Sequence, residues 1–578
     1  MKTVINRLLC FSSALLLFLW FHLGTRMGEF AKDPGVGWHL ASGEWVLDHG
    51  AVPVNDPFLA YSPPLPWVSD QWAADAIFAA IFRFSGWVGL YNFSFFLFLA
   101  AFLLIVYPTI RYRSGSTLTA IVAVIFCSKP AEIHFILRPV LFGFFFMALL
   151  GRLLPQICRS GEVSNRRILT LTFLLFLFWA NLHPSFAYGF VLVIAYVGAI
   201  LVWDWLIERK KEEWTRRLGV IIAALGGSLC NPYGWRLHES IITLGASRLF
   251  MRLHQEWMPL DILEPEGFFF VLFAVIILIA TWIRASRGER VLAEGVAESV
   301  ILALTARAGF AHIRMIPYFF IFAAPLFGTS LLVVAKAIGN ALSDRLPGLE
   351  ERFRARERFE AARASPALIA LLLLAVCVLG TPFGRVAGFP TTRADDEVLV
   401  DGGREVAGRR LNIPLGPPAA QYPYLGLDYL KSVERTVRVS SMREGKPIVV
   451  VNPPDWGGFI TLYGGGRIRP LFDDRNTLLG ESRYLSYFRI ANDCTALLQL
   501  ARELGADFLM IPAWELKMDG CIVSDPENRE VSPKEGRDRC EGIEPCFGQP
   551  VAVQRPNYRD SVAAIFRVPL PPAQSKVG

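Results

Sequence analysis

Long apolar runs recur along the first two thirds of the chain, and short polar segments separate them. A helix needs roughly 20 mostly apolar residues to cross the hydrocarbon core of a bilayer. The pattern therefore predicts about eleven transmembrane helices, packed as a polytopic α-helical membrane bundle. The predicted spans are residues 5–24, 86–107, 116–128, 139–157, 167–181, 185–205, 217–231, 268–283, 291–308, 312–336 and 365–383.

The first apolar run follows Lys2 and Arg7, which is also how a secretory signal peptide begins. No small-residue cleavage pattern ends the run, because Gly24-Thr25-Arg26-Met27 follow it. We therefore interpret it as an uncleaved first helix, with removal of the segment as the alternative.

Lys and Arg are concentrated in the polar segments that separate alternate pairs of spans. These basic segments are residues 111–113, 159–167, 209–217, 284–290 and 344–363. With a cytoplasmic N-terminus, all of them fall on the inner side, as the positive-inside rule requires. An odd number of spans then predicts that the chain from about residue 385 lies outside the cytoplasm.

The composition agrees with a membrane protein, since 53% of the residues are hydrophobic and 19% are charged. Soluble domains carry about 25% charged residues. The net charge of +7 lies largely in the short basic segments and does not indicate nucleic-acid binding. The composition does not determine the oligomeric state.

The last part of the chain has a different pattern, with Pro, Gly and charged residues between short apolar runs. We predict a membrane domain over residues 1–385 and a soluble extracytoplasmic α/β domain over residues 386–578. Within the second domain the pattern predicts a helix and three strands. The helix is predicted at 496–505 and the strands at 447–452, 507–511 and 563–568.

Four of the nine cysteines lie in this predicted outer domain, namely Cys494, Cys521, Cys540 and Cys546. An even number of cysteines outside the cytoplasm favours two disulfides over free thiols. The spacing does not determine which cysteines pair.

Two polar motifs of the tail stand out, Asn452-Pro453-Pro454-Asp455-Trp456-Gly457-Gly458 and Asp473-Asp474-Arg475. A strand that ends at Gly457-Gly458 beside polar side chains is one interpretation, and it favours a ligand site. A tight turn with a surface ion pair is the alternative. The adjacent aspartates are a weak indication of a divalent-cation site.

The predicted topology puts the polar and aromatic clusters of the membrane half on the outer face, beginning with a long first outer loop at residues 25–85. Ionisable residues at helix ends usually face a cavity or a partner. Their joint placement predicts an active site at the outer mouth of the bundle. The candidate catalytic carboxylates are Asp33 and Asp56. The candidate substrate-binding residues are Trp38, His39, Arg138, His183, Asn231, Glu256, Asp261, His312 and Arg314.

Simpler interpretations stay open for several of these residues. Tryptophans near an interface anchor helices in the headgroup region. Arg138 and Arg314 can extend toward lipid headgroups, and His183 before Pro184 can cap a helix end.

Several of these segments carry a resemblance to a bacterial family of mostly uncharacterised multi-pass membrane proteins, which themselves resemble GT-C-type, polyprenyl-phosphate-sugar-dependent glycosyltransferases. The first-loop segments are Asp33–Leu40, Gly43-Glu44-Trp45, Pro53 and Asp56-Pro57-Phe58, with Trp67 and Trp72. The later segments are Arg138-Pro139, Asn181-Leu182-His183, Asn231-Pro232-Tyr233-Gly234, Arg314–Pro317, Asp455-Trp456-Gly457-Gly458 and Asp473-Asp474-Arg475.

The resemblance implies a glycosyltransferase that moves a sugar from a polyprenyl-phosphate donor to an acceptor on the extracytoplasmic face of the bacterial inner membrane. It implies an acidic residue of the first outer loop as catalytic base or metal ligand, by position Asp33, with a divalent cation as a possible cofactor. A carboxylate can take the proton of the acceptor while C1 of the donor is attacked. Arg138 or Arg314 can neutralise the departing phosphate.

The chain departs from the family pattern at one point. That pattern is Asp-Pro-Asp followed by paired aromatic residues, whereas this chain has Asp33-Pro34-Gly35 and then Gly37-Trp38. Either Asp33 acts alone, or Asp56 substitutes for the missing carboxylate, or this copy is inactive.

Two other functions therefore remain open. One is a non-catalytic envelope protein whose tail binds a partner or a glycan. The other is a transporter in which Glu294 and Glu298 line an ion path. The sequence shows no clear internal repeat of the kind common in transporters, which disfavours transport.

Overall fold

The computed structural model describes residues 33–158, 164–208, 213–253, 255–289, 292–342, 348–363, 400–401, 404–405, 417, 421–439, 446–491, 493–512, 558–559 and 562–568. The helices of the membrane half begin with α1 (Val36–His49), α2 (Trp72–Ala100), α3 (Tyr107–Ser114), α4 (Thr117–Ala131), α5 (Val140–Leu153), α6 (Pro155–Cys158) and α7 (Asn165–Leu182). They continue with α8 (Phe186–Trp203), α9 (Trp214–Leu229), α10 (Trp235–Ala246), α11 (Phe250–Leu253), α12 (Pro265–Ser286), α13 (Ala293–Ala311), α14 (Ile316–Ala341) and α15 (Leu349–Arg363). Short π-helical segments at Ala101–Val106 and Asp204–Glu208 extend α2 and α8, and 3₁₀ turns lie at Glu132–His134, Gln255–Trp257 and Ile313–Met315.

Six described helical segments are long and apolar enough to cross a membrane, and each coincides with a predicted span. They are Gly89–Ser114, Thr117–His134, Val140–Ile157, Phe186–Ile207, Pro265–Ser286 and Ile313–Ala341. The predicted spans 167–181, 217–231 and 291–308 overlap the helices α7, α9 and α13, which are not among these six. The spans predicted at 5–24 and 365–383 lie outside the described residues, as does the predicted cysteine pairing. The count of eleven therefore stays a prediction.

The core of the bundle is rich in phenylalanine, and the rings meet edge to face, tilted or stacked. Phe98, for example, packs against Phe102 and Phe135 with ring centroids 5.1 and 4.9 Å apart. Aromatic pairs in this geometry contribute beyond the area they bury. The main helix pairs are α7 with α9, α4 with α14, α8 with α13, and α1 with α2.

The segment predicted as a long first outer loop contains regular structure. It includes all of α1 and, from Trp72, the first turns of α2. Helix α1 ends at Gly50, whose φ of 61° is the left-handed conformation common at helix C-termini. The loop is therefore a rigid support for the side chains before and within α1.

The C-terminal region is an α/β fold. It contains β1 (Val400–Asp401), β2 (Arg404–Glu405), α16 (Tyr424–Val439), β3 (Ile448–Val451), α17 (Pro454–Tyr463), β4 (Ile468–Pro470), α18 (Asn476–Phe488), α19 (Cys494–Glu503), β5 (Phe508–Pro512), β6 (Tyr558–Arg559) and β7 (Ala563–Arg567). Strands β1 and β2 form a small antiparallel pair. The other five strands lie in the order β4-β3-β5-β7-β6, with β3 parallel to both β4 and β5, and β7 antiparallel to β5 and β6. The strands predicted at 447–452, 507–511 and 563–568, and the helix at 496–505, are confirmed.

The motif around Gly457-Gly458 is helical. The interpretations as a strand end or as a tight turn are wrong, because Pro454 begins α17 and Asp455 lies in its first turn. Proline at the first helical position and an acid beside the helix N-terminus both favour this start.

The glycines of α17 allow it to cross α1 at backbone contact. A Cβ atom on Gly37 would lie 2.1 Å from the carbonyl oxygen of Gly458, and one on Gly458 would lie 2.5 Å from that of Pro34. Only residues without a side chain permit this approach. The C-terminal region is therefore docked directly on the first outer loop.

At the opposite end of the bundle, the two glutamates considered for an ion path are paired with an arginine. Arg113 donates to both carboxylate oxygens of Glu298, at 2.5 and 2.9 Å, and lies 3.9 Å from Glu294. A bidentate arginine–carboxylate pair is a strong, fixed interaction. This arrangement favours a structural role for these glutamates over an ion path.

Candidate functional site

The most distinctive polar cluster joins the first outer loop, the start of α5 and the C-terminal region. Arg138 donates from Nε to Asp33 Oδ1 at 2.5 Å and from Nη2 to Asp474 Oδ2 at 2.9 Å. The side chains of Arg138, Asp33 and Asp474 are 22%, 10% and 8% exposed. The guanidinium of Arg138 therefore bridges two carboxylates, and the Arg138 side chain as a whole is partly exposed.

Local structure fixes each member of this cluster. Asp33 precedes α1, and its Oδ1 also accepts a hydrogen bond from Gly35 N at 2.8 Å. Arg138 lies in the short link between the 3₁₀ turn and α5, where Pro139 is the residue before the helix. Asp474 follows β4, at the carboxyl edge of the parallel strands.

Gly35 lies at the centre of the cluster. A Cβ atom there would be 3.0 Å from Arg138 Nη2 and 3.1 Å from both Asp33 Oδ1 and Asp474 Oδ2. Such distances are tighter than ordinary van der Waals contact, so a side chain at residue 35 would displace one of the three groups. The resemblance led us to expect a second carboxylate at this position, and the carboxylate of Asp474 lies beside it.

Trp38 and His39 face this cluster from α1. Trp38 Nε1 donates to Asp474 Oδ1 at 2.8 Å, and His39 Nδ1 lies 2.7 Å from Asp75 Oδ1 on α2. Burial, reinforced by the positive charge of Arg138, lowers the pKa of His39 well below its usual range. Burial raises the pKa of Asp75. His39 is therefore neutral and is oriented by Asp75.

Sequence reasoning missed Asp75 as a member of the site. The available signal was an acidic residue one turn into an apolar helix, which is costly unless the residue has a partner.

A second polar cluster is centred on Arg314. Arg314 Nη1 donates to Glu256 Oε1 at 2.6 Å, and its guanidinium lies 4.6 Å from the centroid of the Trp257 ring. His312 Nδ1 contacts the carbonyl oxygen of Trp257 at 2.7 Å. Arg314 therefore pairs with a carboxylate and an aromatic ring within the protein.

His183 lies at the junction of α7 and α8 and is affected electrostatically by the arginines of both clusters. Its Nδ1 is 2.8 Å from Ser185 Oγ at the junction of α7 and α8. Burial, followed by the charges of Arg314 and Arg138, lowers the pKa of His183 well below its usual range. It is a neutral hydrogen-bonding group that both arginines affect electrostatically, as well as a residue of the helix junction.

The structure does not bring two of the predicted substrate-binding residues into these clusters. The side chain of Asn231 bonds to Ser228 O, Gly234 O and Tyr233 N within its own turn. Asp261 is exposed and accepts from Leu263 N at 2.9 Å. Both residues shape local turns in the described part of the chain, and their substrate-binding role stays a prediction.

Asp56 is held in a sealed cluster around Arg475. Arg475 Nη1 lies 2.7 Å from Asp56 Oδ1, and Nη2 lies 2.6 Å from Asp473 Oδ2. The three side chains are at most 2% exposed, and Asp56 Oδ2 also accepts from Leu59 N at 2.8 Å. The guanidinium carbon lies 4.6 Å from the ring of Trp67. This geometry gives Asp56 a structural contact on each oxygen.

Among the described residues, no group of three or more His, Cys, Asp or Glu side chains is arranged to hold a metal ion. Asp33 and Asp474 converge, but the guanidinium of Arg138 lies between them. A divalent cation bound by both carboxylates would have to displace this fixed positive charge. The side chains present therefore do not fit a divalent cation.

The fold is similar to that of an archaeal oligosaccharyltransferase. The structure of AglB from Archaeoglobus fulgidus in complex with an inhibitory peptide and a dolichol-phosphate gives a TM-score of 0.52 at 10% identity, covering 88% of this chain and 70% of that chain. A structure of the oligosaccharyltransferase from the same organism, tethered to an acceptor peptide that contains the NVT sequon, gives 0.50 at 10% identity, covering 87% and 69%. The structure of ArnT from Cupriavidus metallidurans in the apo state aligns over 96% of this chain and 96% of that chain at 13% identity, with a lower TM-score of 0.43.

No family model matches the chain, and no curated protein matches it. Because the identities are low, the likeness shows the fold alone. The expected resemblance to GT-C-type membrane proteins is confirmed at that level.

Proposed function

We propose that the protein is a membrane glycosyltransferase that moves a sugar from a polyprenyl-phosphate donor to an acceptor on the extracytoplasmic face. The observation that carries the proposal is the partly exposed side chain of Arg138, held beside Asp33 in a bundle whose fold is similar to that of AglB. AglB is an oligosaccharyltransferase whose structure contains a dolichol-phosphate. A lipid-linked phosphate is thus the ligand class that an arginine at this place would meet.

In this proposal Asp33 is the general base. Both of its described hydrogen bonds fall on Oδ1, from Arg138 Nε and Gly35 N. Oδ2 accepts none of the hydrogen bonds described, so it is the atom that takes the proton of the acceptor. As the acceptor attacks C1 of the sugar, the bond from C1 to the phosphate oxygen breaks, and the polyprenyl phosphate leaves with that electron pair.

Arg138 stabilises the departing phosphate. Its described hydrogen bonds use Nε and Nη2, so in this proposal Nη1 is the donor that the phosphate meets. A donor placed where negative charge develops is worth about 10²–10³ in turnover. Arg314, Glu256, His183 and His39 are proposed to bind the donor or the acceptor around this centre.

The proposed topology has about eleven spans, a cytoplasmic N-terminus and an outer domain over residues 386–578. It places Asp33, Arg138 and the C-terminal region on one side of the membrane. The proposed reaction uses no divalent cation, because Arg138 already supplies positive charge between the carboxylates of Asp33 and Asp474.

A second function is favoured by one observation. The bridge of Asp33, Arg138 and Asp474 also fastens the C-terminal region to the bundle, as a non-catalytic envelope protein would require. The exposure of the arginine side chain distinguishes the two functions. An arginine that only joined two regions would be expected to be buried, as Arg475 is, whereas Arg138 is partly exposed.

The test is consumption of polyprenyl-phosphate sugars by the purified protein in lipid nanodiscs. Wild type should turn over at least one donor of a broad panel, and Asp33→Asn should reduce turnover to background. The matched control is Asp428→Asn, because Asp428 is 66% exposed on α16 and lies in a surface pair with Lys431. Absence of turnover with every donor would favour the envelope function.

A further inference from the structure

Asp474 is the member of the site that comes from the C-terminal region, and both of its oxygens are engaged. Oδ1 accepts from Trp38 Nε1 at 2.8 Å, and Oδ2 accepts from Arg138 Nη2 at 2.9 Å. Asp33 uses only Oδ1 in the hydrogen bonds described. The two carboxylates therefore have different roles. Asp33 has an oxygen for the acceptor, and Asp474 holds the side chains of Trp38 and Arg138.

The segment that carries Asp474 is rigid. Asp473 Oδ1 accepts from Arg475 N at 3.1 Å, and the carbonyl oxygen of Asp473 accepts from Tyr484 Oη at 2.5 Å. The side chains of Asp473 and Arg475 bond to each other, whereas that of Asp474 bonds to Trp38 and Arg138. A side chain held by its neighbours in this way defines the position of the group it bonds.

Gly35 provides the space that Asp474 uses. A Cβ atom at residue 35 would lie 3.1 Å from Asp474 Oδ2 and 3.0 Å from Arg138 Nη2. The first outer loop thus supplies no side chain at the point where the carboxylate of the C-terminal region arrives.

We propose that Asp474 is a positioning residue of the transferase site, which holds Arg138 and Trp38 in place from the C-terminal region. This inference rests on the proposed function and goes beyond it, because it makes the docked C-terminal region part of the active site. Arg138 binds the phosphate in the orientation that Asp33 and Asp474 set together. The site is complete only when the C-terminal region is docked on α1.

The effects of Asp474→Asn on phosphate binding and on turnover should have opposite signs if Asp474 positions Arg138, and the same sign if its role is purely structural. Asp474→Asn keeps an oxygen for Trp38 but removes a negative charge beside the bound phosphate. Binding of undecaprenyl phosphate should therefore become equal or tighter, while turnover falls roughly tenfold to a hundredfold because Arg138 is misaligned. Loss of structure would weaken both.

A relocated carboxylate sharpens the test. Asp474→Gly should lose turnover, and adding Gly35→Asp to it should restore part of that loss, because the new side chain starts about 3 Å from the vacated position. Gly35→Asp alone should lose turnover, since its side chain would crowd Arg138 and Asp474.

The experiment measures, for the full-length protein in nanodiscs, undecaprenyl phosphate binding, donor turnover and the thermal unfolding midpoint, with Asp428→Asn as control. Reduced turnover with equal or tighter binding and an unchanged midpoint supports the proposal. Wild-type turnover in Asp474→Asn, or a parallel fall of binding, turnover and midpoint, overturns it.

If wild type turns over no donor, the proposed function fails, and binding alone decides the inference. Tighter binding in Asp474→Asn would then still show that Asp474 competes with the phosphate for Arg138. Unchanged, weaker or undetectable binding would overturn that coupling.

Discussion

Residues 473–475 contribute to two arginine–carboxylate clusters that have the same chemistry in different surroundings. Arg475, with Asp56 and Asp473, is 2% exposed and lies against aromatic rings. Arg138, with Asp33 and Asp474, is 22% exposed. Each guanidinium meets two carboxylates, so charge balance alone does not distinguish the clusters.

The two clusters differ in how fully the arginine is surrounded by other groups of the protein. Arg475 donates from Nε to Asp473 and from Nη1 to Asp56, and its Nη2 lies 2.6 Å from Asp473 Oδ2. The rings of Trp38, Phe58 and Trp67 lie 4.6–5.6 Å from its guanidinium carbon. Among the described hydrogen bonds, Arg138 uses Nε and Nη2 but not Nη1, and its side chain is partly exposed. A sealed cluster fixes where two segments meet, whereas an open one can bind an incoming anion.

The largest expected effect is on stability, from Arg475→Met. Removing this side chain leaves Asp56 and Asp473 buried without their counter-charge, which costs about 3–5 kcal/mol. Burial already raises the pKa of Asp473, with Arg475 opposing the shift. The thermal unfolding midpoint should fall sharply and the C-terminal region should become sensitive to protease. An unchanged midpoint would show that the cluster does not hold the two segments together.

The next effect is on turnover, from Arg138→Ala. Loss of the phosphate-facing donor should lower turnover about 10²–10³-fold, and Arg138→Lys should restore little, because an ammonium cannot bridge two carboxylates in the same planar geometry. Arg152→Ala is the control, since Arg152 is an exposed residue near the other end of α5. Equal turnover in Arg138→Ala and the control would remove Arg138 from the mechanism.

Asp56→Asn tests the assignment of carboxylates between the clusters. The substitution weakens one hydrogen-bonded ion pair to Arg475, so the free energy of unfolding should fall by about 1–3 kcal/mol. Turnover per folded molecule, measured well below the unfolding midpoint, should stay near wild type. A loss of turnover comparable to that of Asp33→Asn, with stability retained, would instead make Asp56 the catalytic carboxylate.

The smallest expected effect is that of chelation. Because Arg138 lies between Asp33 and Asp474, EDTA should leave turnover unchanged, and added Mg²⁺ or Mn²⁺ should not raise it. Complete loss of turnover in EDTA, reversed by one of these ions, would show that a cation replaces the guanidinium during catalysis.

The sequence predicts what depends on neighbouring residues and misses what depends on distant ones. Hydropathy located the helices α4, α5, α8, α12 and α14, and apolar runs located β3, β5 and β7, because each signal is local. Gly457-Gly458 was misinterpreted because paired glycines next to prolines are typical of turns. In the structure, Gly458 of α17 lies against Gly37 of α1, where the two helices cross. This contact joins distant parts of the chain, so the local sequence pattern cannot predict it.

The same limit applies to the site. Asp33, His39 and Arg138 were identified as candidates, since polar residues at the ends of apolar helices need partners. Which carboxylate joins Asp33 was left open, and the sequence favoured Asp56 only because it lies in the same loop. Asp474 lies 336 residues from Arg138 along the chain and was noted only as one of two adjacent aspartates.

The separation of these residues along the chain has a consequence for synthesis. Asp33 and Arg138 are 105 residues apart, and Asp474 follows Arg138 by another 336. The helices that carry Asp33 and Arg138 are therefore synthesised before Asp474. A chain that stops before residue 474, or whose tail has not folded, has Arg138 paired with Asp33 but not with Asp474. Under the proposed function, the last folding step also completes the active site, so copies with an unfolded tail would be inactive in the membrane.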